Sequence, residues 1–214
     1  MCFIFYHKYP FLEKIWNLYE KFNEKLKEDY HYDAIINLCE VEKKNVNKHN
    51  EEYKHICKKL IRNLWPLYDN KYSETTIPYA CKILNEWLHH LKNPYDIPDT
   101  TIVNLFNKAV QLTPVSLQGK KCDYYSFIEK YKIPKYSIKL NYLVDNVNII
   151  SKILMTKSDP KFCYAQKFAQ ECKNIYKHIN TNYCSNNKDK EAGNLITCLE
   201  LSTFDFTYTN YLFK

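Results

Sequence analysis

Two glycines, Gly119 and Gly193, are all that 214 residues contain, and that scarcity constrains the fold more than any other feature. Tight hairpins need glycine where the backbone turns through positive φ, and phosphate loops and dinucleotide folds need it where backbone approaches a ligand. Few such turns exist here, so the chain reads as helical, and most nucleotide-binding architectures are excluded. With 45% hydrophobic and 16% aromatic residues, it is too apolar for disorder and long enough to bury a core. The expected class is all-α: a single irregular bundle of about seven to nine helices over residues 1–214, with residues 1–8 an atypical or disordered leader.

Apolar periodicity supports this class. Phe11, Ile15, Leu18, Phe22 and Leu26 recur every three or four residues, placing one stripe on a first helix behind Pro10. A second helix is expected over residues 32–46. A third carries Tyr53, Ile56, Leu60 and Leu64 and is expected to end at Pro66. Cys81, Leu84, Trp87, Leu88 and Leu91 mark a fourth, stopping at Asn93-Pro94. Asp99-Thr100 caps a fifth through Leu112, and residues 122–131 read as a short aromatic helix. Tyr136, Leu140, Leu143, Val147, Ile150 and Leu154 form the most regular seam, in steps of four and three. Ser158-Asp159-Pro160 opens a helix faced by Phe162, Ala165, Phe168, Cys172, Ile175 and Ile179. The last helix starts near Asn194 with Leu201, Phe204, Tyr208 and Tyr211 as its stripe. Most aromatic residues fall on such stripes and read as core, whereas Tyr124-Tyr125 and residues 204–211 form clusters suited to a contact surface.

Nine cysteines are spread along the chain without a CxxC pair. Setting aside Cys2 leaves Cys39, Cys57, Cys81, Cys122, Cys163, Cys172, Cys184 and Cys198. Zinc sites usually draw thiolates in close pairs, so this spacing favours disulfides, which need an oxidising compartment. Cys39 and Cys57 flank the turn between the second and third helices, and Cys184 and Cys198 flank the polar loop at residues 185–193. Each pair could close a helical hairpin. Cys81, Cys122, Cys163 and Cys172 would supply longer bridges, with their pairing open.

The net charge of +7 is almost entirely lysine, with Arg62 the sole arginine. Bidentate readout of phosphate or guanine needs arginine forks, so no nucleic-acid partner is expected. No stretch approaches the ~20 apolar residues of a membrane span, and residues 1–6 are too short for a signal peptide. His89 and His90 are adjacent and point apart on a helix. His49 and His55 bracket Glu51-Glu52 without zincin spacing. Cys172, His178 and Cys184 fall on different faces. No G-x-S-x-G, P-loop, dinucleotide fingerprint or glycosylation sequon is present. The chain therefore offers no catalytic residue, no metal ligand set, no cofactor and no small-molecule substrate site.

Several blocks resemble the PIR (Plasmodium interspersed repeat) superfamily, in its vivax-type Vir group. They are residues 8–19 (KYPFLEKIWNLY), Leu38-Cys39-Glu40, residues 55–64 (HICKKLIRNL), 81–88 (CKILNEWL), 122–131 (CDYYSFIEKY), 162–184 and 203–214 (TFDFTYTNYLFK). The resemblance runs from about Tyr9 onward, and the lysine- and asparagine-rich composition agrees with the AT-rich codons of a malaria parasite. It implies a disulfide-linked helical ectodomain of a variant antigen, exported to or displayed on the infected red cell. The expected partner is a host cell-surface protein or an antibody. Many members continue into a transmembrane helix and a short tail, so membrane anchoring is expected only through a segment outside this chain. The polar loops at residues 43–50, 71–78, 113–121 and 185–193 are where variation and contact are expected. The alternative is an intracellular helical adaptor with reduced cysteines, docking a partner through the 136–154 stripe.

Overall fold

The computed structural model describes residues 9–28, 31–42, 50–68, 75–111, 122–191 and 193–212. Among them are ten α-helices and no strand, an all-α multi-helix fold. The chain divides into two compact units, Ile15–Ser126 and Met1–Lys14 with Phe127–Lys214.

The middle unit contains α1 (Glu13–Asn23, whose first residues belong to the other unit), α2 (Tyr32–Glu42), α3 (Asn50–Tyr68), α4 (Ile77–Lys92) and α5 (Asp99–Gln111). α3 packs against α2, α4 and α5, burying Ile56, Leu60 and Leu64 completely or nearly so. The α1 stripe is shorter than its periodicity suggests, and Leu26 lies beyond the helix end. Side chains take the carbonyls that another turn would use: Arg62 donates to Lys21 O at 2.6 Å and Phe22 O at 3.0 Å, and Asn63 donates to Phe22 O at 3.0 Å. A helix end leaves its last carbonyls without intrahelical partners, and here α3 supplies them. Pro66 does not end α3, which runs to Tyr68. Proline there forfeits a single bond, to the Arg62 carbonyl, in the last turn. Pro78 falls in the first turn of α4, where its missing N–H costs nothing.

The expected helix over residues 122–131 is largely absent. Residues 122–126 carry no helical turn, and only α6 (Phe127–Lys130) forms. Asn85 on α4 holds the backbone out: it donates to Asp123 O at 3.1 Å and accepts from Tyr125 N–H at 3.2 Å. Both groups are thus satisfied without a helix.

The terminal unit contains the Pro10–Leu12 turn, α6, α7 (Pro134–Asp145), α8 (Val147–Met155), α9 (Phe162–Ile179) and α10 (Leu195–Leu212). α10 packs on α7 and α8, which both pack on α9. The 136–154 seam keeps its buried face but is cut at Asn146, whose side chain bonds the Tyr142 carbonyl at 2.9 Å. An amide bonding back to its own turn competes with the helical ladder. α9 continues into a π turn, Asn180–Cys184, and a short 3-10 turn, Lys188–Lys190. Gly193 then reverses the chain at φ +82°, a left-handed conformation that favours glycine.

Candidate binding surface

The sulfur framework is the first candidate site. Cys39–Cys57 and Cys184–Cys198 are bonded, with Cα separations of 5.8 and 5.6 Å, and Cys81 bonds Cys122 at 5.5 Å. These lie in the range a disulfide spans without backbone movement. Each closes a loop inside one unit. Cys163 and Cys172 form no bridge, which corrects their assignment to the disulfide set: both remain thiols, Cys163 exposed and Cys172 buried. They sit on α9, nine residues apart, a rise of about 13.5 Å at 1.5 Å per residue. A disulfide requires Cα atoms within about 7 Å, so one straight helix cannot join them.

Cys172 belongs to a half-buried cluster. The Tyr9 hydroxyl donates to Glu171, Lys139 Nζ reaches the same carboxylate at 2.6 Å, and Cys172 Sγ faces Lys139 O at 3.9 Å. Lys139 also lies 5.7 Å from the Tyr9 ring centroid and 5.8 Å from that of Phe168, a cation–π geometry. Burial, then the bond to Glu171, raises the Tyr9 phenol pKa. Burial pushes the Cys172 thiol up to about 12, against the opposing Lys139 charge. A thiol so shifted is a poor nucleophile. The cluster fastens Tyr9 to α9.

A second polar cluster lies along α4, where Asn85, Glu86, His89 and Lys92 are buried. Lys92 pairs with Asp99 at 2.5 Å, and the Tyr124 hydroxyl donates to the same oxygen at 2.6 Å. Burial alone would raise the Asp99 pKa, but hydrogen bonds from Lys92, Ser126 and Tyr124 outweigh it and hold the carboxyl below its ordinary value. Burial, then the Lys92 charge, lowers His89. Tyr124 therefore serves this network instead of a contact surface. Among the described residues, no group of three or more His, Cys, Asp or Glu could hold a metal ion.

The terminal unit carries an open groove of about 570 Å³ along α10. One wall is Leu195, Leu199, Ser202 and Phe206, spaced four, three and four residues, and the other is Tyr176, Asn180 and Cys184. Leu195, Leu199 and Phe206 are 59, 60 and 66% exposed. Burying such a side chain fully is worth about 1.5–3 kcal/mol, and more than half of that is unrealised here. Five of the eleven exposed large hydrophobics among the described residues sit on α10, which makes it the molecule's main contact candidate. Asp189 and Asp205 also line the groove, with no lysine. The Tyr176 phenol pKa is raised by burial first and by the nearby Asp205 carboxylate second. A second groove of about 520 Å³, beside α8, has the opposite balance, with Lys152 and Lys161 against Asp159.

The aromatic cluster at residues 204–211 divides between these roles: Phe204 is buried, while Phe206 and Tyr211 are exposed. Of the polar loops singled out above, residues 43–49, 71–74 and 113–121 lie outside the described residues. The loop at 185–193 carries Asp189 into the groove lining. Phe206 belongs to the 204–211 cluster expected to suit a contact surface, whereas Leu195 and Leu199 escaped the sequence reading because they lie off the stripe assigned to this helix. No helix among the described residues is long and apolar enough to cross a membrane. No protein-family model, no curated protein and no solved structure matches the chain.

Proposed function

We propose that this chain is a non-catalytic variant antigen of a malaria parasite, of PIR and Vir type. It is displayed on or exported to the infected red cell and acts through contact with host protein. The observation that carries the reading is the sulfur framework. Three non-overlapping loops are closed over sequence separations of 18, 41 and 14 residues. Loop-closure entropy assigns them about 3.2, 3.9 and 3.0 kcal/mol. Independent sites add, giving about 10 kcal/mol, as large as the whole net stability of an ordinary domain. A chain that depends on sulfur to this degree suits an oxidising compartment and is a poor candidate for a reduced cytosolic adaptor. The open apolar face of α10 supports contact over catalysis, and the motif resemblance supplies the family and the host.

The test is made on intact infected red cells with antibody raised to the folded chain. Staining without permeabilisation, abolished by surface trypsin, is expected. Protein labelled only after permeabilisation, with all cysteines open to alkylation before any reductant is added, would overturn the reading in favour of an intracellular adaptor.

A further inference from the structure

We propose that the α10 groove is a docking site for a cationic amphipathic helix presented by another protein. The inference gives a place and a partner chemistry to the contact role above, and rests on that role only for its biological setting.

Charge selects this occupant. The chain as a whole is +7, yet the groove is lined by Asp189 and Asp205 and by no lysine. Asp205 is exposed and lines the groove with Tyr176, whose phenol its carboxylate influences. Lys188, the neighbour of Asp189, is engaged by the Asn182 carbonyl at 3.4 Å. Leu199 and Phe206, seven residues apart on one face of α10, about 10.5 Å along the axis, line the same groove as the two carboxylates. Apolar side chains at i, i+4 and i+7 of an incoming helix span that distance, the spacing by which helices anchor in grooves. Lysine or arginine flanking them would meet the two aspartates. The Cys184–Cys198 bond lies in the groove lining, so the walls are covalently fixed before any partner arrives, which lowers the ordering cost of binding. An acidic helix would gain from the net charge of the chain but meet like charge in the groove, so the two fields predict opposite preferences.

The probes are two fluorescein-labelled amphipathic peptides of about four turns, one of leucine and lysine and one of leucine and glutamate, titrated by anisotropy against the oxidised full chain. The leucine–lysine peptide is expected to bind about tenfold or more tighter. Phe206→Ser should weaken it about tenfold. Asp205→Asn, which removes the charge at nearly constant volume, should weaken it about two- to fivefold at low salt, with the difference shrinking as salt rises. Both positions are exposed, and unchanged circular dichroism would verify the fold of each variant. Equal or tighter binding of the leucine–glutamate peptide, binding by neither peptide, or indifference to Phe206→Ser overturns the proposal. So does adsorption to phosphatidylcholine vesicles that Phe206→Ser abolishes, which would assign the face to lipid. None of these results touches the surface-display test.

Discussion

The disulfides should differ in weight in the order of the loops they close. Replacing Cys81 and Cys122 together by alanine opens a loop with a sequence separation of 41, and replacing Cys184 and Cys198 opens one of 14. The entropy regained by the unfolded chain corresponds to about 3.9 and 3.0 kcal/mol, a difference of about 0.9 kcal/mol. Alanine is chosen because Cys122 is only 2% exposed, and serine there would bury a hydroxyl and add its own penalty. Without sulfur, Asn85 still ties Asp123 and Tyr125 to α4, so the native contacts persist and the effect is carried by the unfolded ensemble. The assay is urea denaturation followed by far-ultraviolet circular dichroism. With a slope of about 2 kcal/mol per molar urea, the midpoint should fall by about 2 M for the Cys81–Cys122 pair and about 1.5 M for Cys184–Cys198. A Cys184–Cys198 loss equal to or larger than the other, or either loss under about 1 kcal/mol, would refute the loop-entropy reasoning and remove the main support for an oxidising compartment.

Two further outcomes follow from buried titratable groups. In native protein at pH 8, Cys163, which is exposed, should be alkylated by iodoacetamide while Cys172, buried with its pKa near 12, stays unmodified until denaturant is added; peptide mass mapping reads this, and early labelling of Cys172 would refute its placement. The folded-state pKa of His89 lies below its ordinary 6.5, so the unfolded chain takes up its proton first, and the stability tied to neutral His89 is fully present above about pH 6.5 and lost as pH falls from there through the lower folded-state value. Asp99, also lowered, adds a loss only below its ordinary 3.8; His89→Gln should therefore flatten the urea midpoint against pH between about 5 and 7, and wild-type and variant curves that stay parallel there would sink the assignment.

What the sequence revealed were features set by neighbours along the chain. The 136–154 seam, the α9 stripe and the two short-range disulfides come from spacing of a few turns, and their positions survive in the fold. The errors come from partners distant in sequence. Residues 122–126, Cys-Asp-Tyr-Tyr-Ser, are weak helix formers, and Asn85, some 40 residues earlier, takes their backbone groups. α1 ends early because Arg62 and Asn63 claim its carbonyls. The polar run on α4 shows no sign in its spacing that Lys92 would find Asp99. The Cys163–Cys172 separation is the exception: once both lie on one helix, geometry alone rules out their bond.

α10 carries one apolar stripe that is buried and another that is exposed. Phe204 and Phe206 are two positions apart, about 200° around a helix at 3.6 residues per turn, so they cannot face the same core. One had to be left to solvent or to a partner, and it is Phe206. The stripe Leu201, Phe204, Tyr208 and Tyr211, of which Tyr211 is exposed, implies the other, because Leu195, Leu199 and Phe206 fall into a second register on the opposite side. A helix apolar on two sides is usually buried on both. This one is buried on one side within its unit and carries acidic groups along the other. That combination, an exposed apolar face lined by Asp189 and Asp205 on a lysine-rich protein, is the ground on which the docking proposal stands.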